Sequence, residues 1–168
     1  DNSISINELI GDAMNNANQL LLKNVWQGSV SATVALQIRD LIHIGHVGNT
    51  RTYIVSKAGI EHLTRDHSLV QRLIELGEIT PEEAREHPQR YTMYRGLGLT
   101  DTLEVDTITR RLKPDAKLVL CSDGLWSQVT DNEIQRAVLE NSPQEAVSRL
   151  IALANARGGP DNITVIII

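Results

Sequence analysis

The chain has 168 residues, one domain's worth, with 41% hydrophobic and 22% charged residues and a net charge of −5, the profile of an ordinary globular protein. Mild negative charge with scattered Lys and Arg excludes the basic patches that hold nucleic-acid phosphates, and no apolar run approaches the roughly 18 residues of a membrane span. No basic-then-apolar leader opens the chain, and its single cysteine, Cys121, forms no internal disulfide, so a cytoplasmic setting is expected. Phe is absent and aromatics are 3%, so the core is expected to consist of Ile, Leu, Val and Ala. The chain begins with Asp1 rather than Met and reads as a processed or excised segment of something longer.

In chain order, Ser5 with Glu8 has the pattern of a capping box. Ile6, Leu9, Ile10, Ala13, Met14, Ala17, Leu20 and Leu21 then recur at helical spacing. They predict an amphipathic helix of about four turns with that stripe in the core. The β-branched runs 33–38 and 41–47, broken by Arg39-Asp40, predict a hairpin. A second is predicted from 52–55 and 60–63 around Lys57-Ala58-Gly59. Residues 68–98 read as polar and helical, an inserted flap. Within them, Thr80-Pro81-Glu82-Glu83 supplies a capping hydroxyl, a proline at the first helical position and a glutamate two further on. Runs 104–111 and 116–122, joined through Lys113-Pro114-Asp115, predict a third hairpin. Thr130 with Glu133, and Ser142-Pro143-Gln144-Glu145, start two more helices. The last has Ala146, Val147, Leu150, Ile151 and Ala154 on one face. Residues 163–168 are apolar without alternation, as in a strand buried on both faces. The class is α+β: antiparallel strands covered by helices.

Two turns hold candidate chemistry. The strand 116–122 runs into Asp123-Gly124, and Gly158-Gly159-Pro160-Asp161-Asn162 feeds Asp161 into the last strand. If these strands are antiparallel neighbours, both carboxylates reach one sheet edge. Like charges held together there call for a cation, and carboxylate oxygens suit Mg²⁺ or Mn²⁺ better than zinc. Gly48-Asn49-Thr50 ends a third strand in the same pattern. Asp-Gly and Asp-Asn are also ordinary turn residues, and both readings stand at this point. His43 and His46 fall on opposite strand faces, which excludes a shared zinc. His67 and His87 read as structural or exposed, and Arg51 as a support for its turn. Arg90 and Arg95 read as a solvated face, Trp26 and Trp126 as core or rim, and Cys121 as a buried inert thiol.

The order of the segments adds a resemblance. Ile44-Gly45-His46-Val47-Gly48-Asn49-Thr50-Arg51-Thr52-Tyr53, Leu63-Thr64-Arg65-Asp66-His67-Ser68 and Arg95-Gly96-Leu97-Gly98 follow one another. Leu118-Val119-Leu120-Cys121-Ser122-Asp123-Gly124-Leu125-Trp126 and Asp161-Asn162-Ile163-Thr164-Val165-Ile166 come after them. In content and order these blocks resemble the PPM family, the metal-dependent type 2C serine/threonine protein phosphatases. The resemblance implies an antiparallel β-sandwich flanked by helices, making residues 1–168 a single domain with a flap at about 66–100. It implies two bridged Mn²⁺ or Mg²⁺ ions activating a water that attacks phosphorus directly. By matching position, Asp123 and Asp161 would be metal ligands, with Gly124 and Asn162 beside them.

Three departures stand out. The family's upstream Glu-Asp ligand pair, phosphate-binding Arg and "DGHGG" turn have no match. Asn49 occupies the place of an aspartate that binds a third ion in bacterial members. Ser29-Val30-Ser31 replaces a "GTT". Two functions are therefore carried forward: a phosphatase acting on phosphorylated Ser/Thr proteins, a kinase or its substrates among them, and a catalytically weakened phosphatase-like regulatory or binding module. Open sheet edges in a chain without those motifs would favour a homodimer or pairing with a missing N-terminal segment.

Overall fold

The protein is represented by a computed structural model that describes residues 4–23 and 28–168. Asp1 and Trp26 lie outside the described residues. The elements in order are α1 (Ile6–Lys23), β1 (Ala32–Ile38), β2 (Leu41–Val47), β3 (Arg51–Ser56), β4 (Gly59–His62), α2 (Leu69–Glu75) and α3 (Pro81–Glu86). They continue as β5 (Asp106–Arg111), β6 (Lys117–Cys121), α4 (Asp123–Trp126), α5 (Asp131–Glu140), α6 (Pro143–Ala156) and β7 (Val165–Ile167). The strands form two sheets, ordered β1-β2-β5 and β4-β3-β6-β7. The observed β1–β2, β3–β4, β3–β6 and β6–β7 pairings are antiparallel, as the α+β reading requires. The chain divides into two compact units, Asp1–Asn49 with Arg65–Arg110, and Thr50–Thr64 with Arg111–Ile168.

In the first unit the Ser5–Glu8 capping box forms: Ser5 N donates to Glu8 Oε2 at 2.7 Å and Glu8 N to Ser5 Oγ at 3.2 Å. The buried stripe of α1 is narrower than its apolar pattern, comprising Ile10, Met14 and Asn18. Leu9 and Leu20, expected in the core, are 56% and 61% exposed, because eight apolar positions wrap more of the helix than one sheet face covers. Asn18 is a polar member that periodicity cannot find. It donates to Thr100 O at 2.9 Å and accepts from Gly98 N at 2.7 Å, so burial leaves its amide satisfied. The helix lies against β2 at Gly45, where a side chain would collide with Ile10 and Met14. The β1–β2 hairpin turns through Arg39, whose φ of 56° lies in the left-handed region. Gln37 Nε2 donates to Arg39 O across the turn at 3.1 Å. Residues 68–98 contain α2 and α3, capped by Ser68 and Thr80, while the rest is irregular, with turns and the isolated bridges of Ser68 to Met93 and of Leu97 to Val30.

In the second unit, Tyr53, Val55, Val119, Leu125, Val129, Ile134, Val138 and Leu150 form the core. Glu133 and Glu145 complete the caps of α5 and α6 by accepting from Thr130 N at 3.0 Å and Ser142 N at 3.1 Å. Arg157, with the Thr130 cap, holds the Glu133 carboxyl down to about 2.

Two strand expectations need correction. The runs around Lys113-Pro114-Asp115 are not a hairpin: β5 lies in one sheet and β6 in the other. A proline-containing turn permits a crossover as readily as a return, and the two strands differ in environment. Leu118, Val119 and Cys121 of β6 are buried, whereas β5 is largely exposed. The terminal strand is also not buried on both faces. β7 covers only three residues at the sheet edge, and Ile166 is 50% exposed. Among the described residues no helix is long and apolar enough to cross a membrane.

Candidate metal centre

The site in the second unit is built on β6, a strand apolar enough to occupy the sheet interior. Arg51 of β3 pairs with Cys121 on one side and Val165 of β7 with Cys121 on the other. Beyond Cys121 the backbone stays extended at Ser122 (φ −77°, ψ 166°) and then turns into α4, whose first residue is Asp123. On the neighbouring strand the chain enters β7 from Asp161-Asn162. Three hydrogen bonds extend the ladder past its last strand pair. Ser122 N donates to Thr164 O at 3.0 Å, Thr164 N donates to Ser122 Oγ at 2.9 Å, and Ser122 Oγ donates to Asn162 O at 3.1 Å.

Gly124 closes the arrangement. A Cβ there would overlap Asn162 O and lie 3.0 Å from Asn162 C and 3.2 Å from Asp161 O. The absence of a side chain therefore lets α4 sit directly against the Asp161-Asn162 backbone. Asp123, Gly124, Asp161 and Asn162 are thus brought together. Asp123 Oδ1 accepts from Gly124 N at 3.0 Å and Asp161 Oδ1 from Asn162 N at 2.7 Å, so each carboxylate is steered by its own turn. Asp123 is half-buried and Asp161 exposed. Arg51 supports the turn from β3 by placing its guanidinium 3.6 Å from the centroid of the Trp126 ring, while Trp126 packs at the rim of the core.

Asn49 belongs to the first unit. Ser31 Oγ donates to its Oδ1 at 2.6 Å and accepts from its N at 3.0 Å. The preceding Gly48 has φ 99° and is held by His67, whose Nδ1 accepts from Gly48 N at 3.1 Å and whose N donates to Gly48 O at 2.7 Å. With Nδ1 accepting, the His67 proton sits on Nε2, facing Asp106 Oδ2 at 3.1 Å. His46 is fixed in the same way. Its Nε2 donates to Arg65 O at 3.0 Å, which leaves Nδ1 to accept from Thr33 Oγ1 at 2.9 Å.

Both rings are buried and their centroids lie 5.0 Å apart. Burial, reinforced by His67, pushes His46 down to about 4; burial also lowers His67, with Asp106 opposing. Arg95, expected on a solvated face, instead pairs with Asp106 at 2.8 Å and Glu104 at 2.7 Å. Carboxylates from the start of β5 and the residues before it meet the 68–98 segment there, a pairing that distance along the chain conceals. Arg90 is exposed and lies over Tyr91 at 4.5 Å. His43 contacts Asn7 and Thr109. His87 is half-buried and Cys121 is 4% exposed.

Among the described residues no group of three or more His, Cys, Asp or Glu side chains could hold a metal ion. Asp123 and Asp161 offer two carboxylates at one sheet end, fewer than a full ligand cage. Such a pair suits a hydrated hard cation, because Mg²⁺ commonly keeps several waters and takes only one or two carboxylates. Sequence reasoning missed Ser122. Its only signal was that a serine in a capping position directly precedes the aspartate.

No family model matches the chain. The chain is 36% identical over 135 residues to the serine/threonine phosphatase Stp of Listeria welshimeri, covering 80% of this chain and 54% of that protein. It therefore spans about half the length of such curated relatives. Among solved structures, the PPM Ser-Thr phosphatase MsPP from Mycobacterium smegmatis, in complex with cacodylate, is 30% identical. That match has a TM-score of 0.85 and covers 98% of this chain and 73% of that one. The catalytic domain of the serine/threonine protein phosphatase PstP, in complex with two manganese ions, is 28% identical. Its TM-score is 0.88, with coverage of 99% and 72%. The order of motifs, the two antiparallel sheets with their helices and these matches together establish that the chain belongs to the PPM family of metal-dependent serine/threonine protein phosphatases.

Proposed function

We propose that the chain carries part of the active site of a phosphoprotein phosphatase that hydrolyses Ser/Thr phosphate monoesters with a metal-activated water. Asp123 and Asp161 are its ligands to Mn²⁺ or Mg²⁺. The observation that supports this reading best is the antiparallel pairing of β6 with β7, which sets both aspartates at one sheet end with Gly124 against the Asp161-Asn162 backbone. When bound, a divalent ion supplies a nucleophilic water at neutral pH and positive charge against the phosphoryl oxygens. The chain's own contribution is rigidity. A sheet end fixes the two turns, and one oxygen of each carboxylate is tied to an adjacent N–H, which limits rotation of the donors. Asn49 is not counted among the ligands, since its amide oxygen is engaged by Ser31.

On this reading the chain is a single family domain with its flap at about residues 66–100. Its substrates are phosphorylated proteins of the cytoplasm, a kinase or a kinase's targets among them. Calorimetric titration of the chain with Mn²⁺ tests the ligand assignment, and Mn²⁺-dependent release of phosphate from a phosphothreonine peptide tests the reaction. Saturable binding that is lost in Asp161→Asn and in Asp123→Asn is expected. No binding by the unsubstituted chain, or binding indifferent to both substitutions, would refute the assignment.

A further inference from the structure

Ser122 occupies the N-cap position of α4 with the extended backbone of a capping residue, yet its side chain makes no cap hydrogen bond. A serine there ordinarily spends its oxygen on a backbone N–H in the first turn of its own helix. In this chain the hydroxyl is turned across to the neighbouring strand. It accepts from Thr164 N at 2.9 Å and donates to Asn162 O at 3.1 Å. Those partners are the two ends of the short segment that follows Asp161. The adjacent Ser122 N holds Thr164 O at 3.0 Å, so one residue makes three bonds to this segment. Ser122 also stands immediately before Asp123, so its hydroxyl ties the start of the Asp123 turn to the segment that follows Asp161. From the other side, Gly124 meets the backbone of Asp161 and Asn162. The segment is thus held between a hydrogen-bonding residue and a packing residue that flank Asp123.

We propose that Ser122 is a positioning residue whose hydroxyl sets the separation of the Asp123 and Asp161 carboxylates. It touches neither ion nor substrate and acts through the two aspartates. This rests on the reading that the pair holds a divalent cation. The hydroxyl is needed as donor and acceptor at once, so alanine removes both bonds, whereas threonine retains them at the same backbone geometry.

The experiment is Mn²⁺ binding, followed by calorimetry and by the electron paramagnetic resonance of the ion, for the intact chain and for Ser122→Ala and Ser122→Thr. Thermal unfolding in chelator is recorded for each. Loss of an outer group that orients ligands typically lowers metal affinity by about 10- to 100-fold. A drop of at least about tenfold is expected in Ser122→Ala, with a broadened Mn²⁺ spectrum and recovery in Ser122→Thr. Equal affinity in the alanine variant would overturn the proposal and leave the ligand assignment standing. An equal loss in both variants would also overturn it, since packing rather than the hydroxyl would then be responsible. Absence of Mn²⁺ binding by the unsubstituted chain would remove the ligand assignment and this proposal with it. Should Ser122→Ala fail to fold, Ser122→Cys, similar in size and poor in hydrogen bonding, is judged by the same criterion.

Discussion

Gly124→Ala sets local and tertiary effects against each other. Gly124 lies within α4 at a backbone conformation that alanine can adopt, since its φ is not among the positive ones. Helix propensity alone then favours alanine by up to about 1 kcal/mol. The tertiary contact opposes it. The new Cβ would overlap Asn162 O and press on Asn162 C and Asp161 O at 3.0 and 3.2 Å. All three atoms are backbone, so no side-chain rotation relieves the overlap, and the Asp161-Asn162 turn must retreat by something on the order of 1 Å. Overpacking of this kind costs about 1–3 kcal/mol, and a backbone obstacle argues for the upper end. The expected net effect is destabilisation by about 2 kcal/mol, a fall in Tm on the order of 4–8 °C for a chain of this size. Urea and thermal unfolding of both proteins measure it, and the same samples titrated with Mn²⁺ should show weakened binding because the donors have moved apart. An unchanged or raised Tm would refute the close seating of α4 on the Asp161 turn, and with it the geometric basis of the candidate site.

Two further outcomes follow from the same geometry. His46 is fully buried, and its folded value of about 4 lies below the ordinary 6.5. The unfolded chain therefore binds the extra proton between those values, so stability is complete above pH 6.5 and is lost as pH falls through about 4. The shift corresponds to about 3 kcal/mol, of which about 2 is gone by pH 5. His67 shifts in the same direction. Asp106, Arg65 and Arg95 are the charged groups that act on the two rings. Urea unfolding at pH 7, 6 and 5 measures the slope, and flat stability across that range would contradict the burial of two neutral imidazoles. Separately, a double-mutant cycle of Arg51→Ala and Trp126→Ala isolates the stacking of the guanidinium on the ring from the other bonds of Arg51. A coupling of about 0.5–2 kcal/mol is expected, and a coupling near zero would show that the contact does not brace α4.

The sequence by itself determined the elements whose causes are local. Capping patterns placed the starts of α1, α3, α5 and α6, because a hydroxyl and a glutamate three residues apart satisfy the same few N–H groups wherever the chain lies. Two hairpins followed from strand propensity and tight turns, and the α+β class followed from their mixture with helices. The sequence carries the pairing of the Asp123 and Asp161 turns only as a condition, that the two strands be antiparallel neighbours. The sheet register then met that condition.

Tertiary structure alone decided the rest. It assigned β5 and β6 to different sheets, because a turn specifies a change of direction and not the strand to which the chain returns. It made β7 an edge strand and left Leu9 and Leu20 exposed, because burial depends on what covers a face as well as on which residues form it. It gave Arg95 its carboxylate partners, buried two histidines behind Gly48, and diverted Ser122 from its own helix to the neighbouring strand. Each of these is a contact between residues remote in sequence, and a hydrogen bond or a packed surface of that kind depends on positions in space that local propensity does not encode.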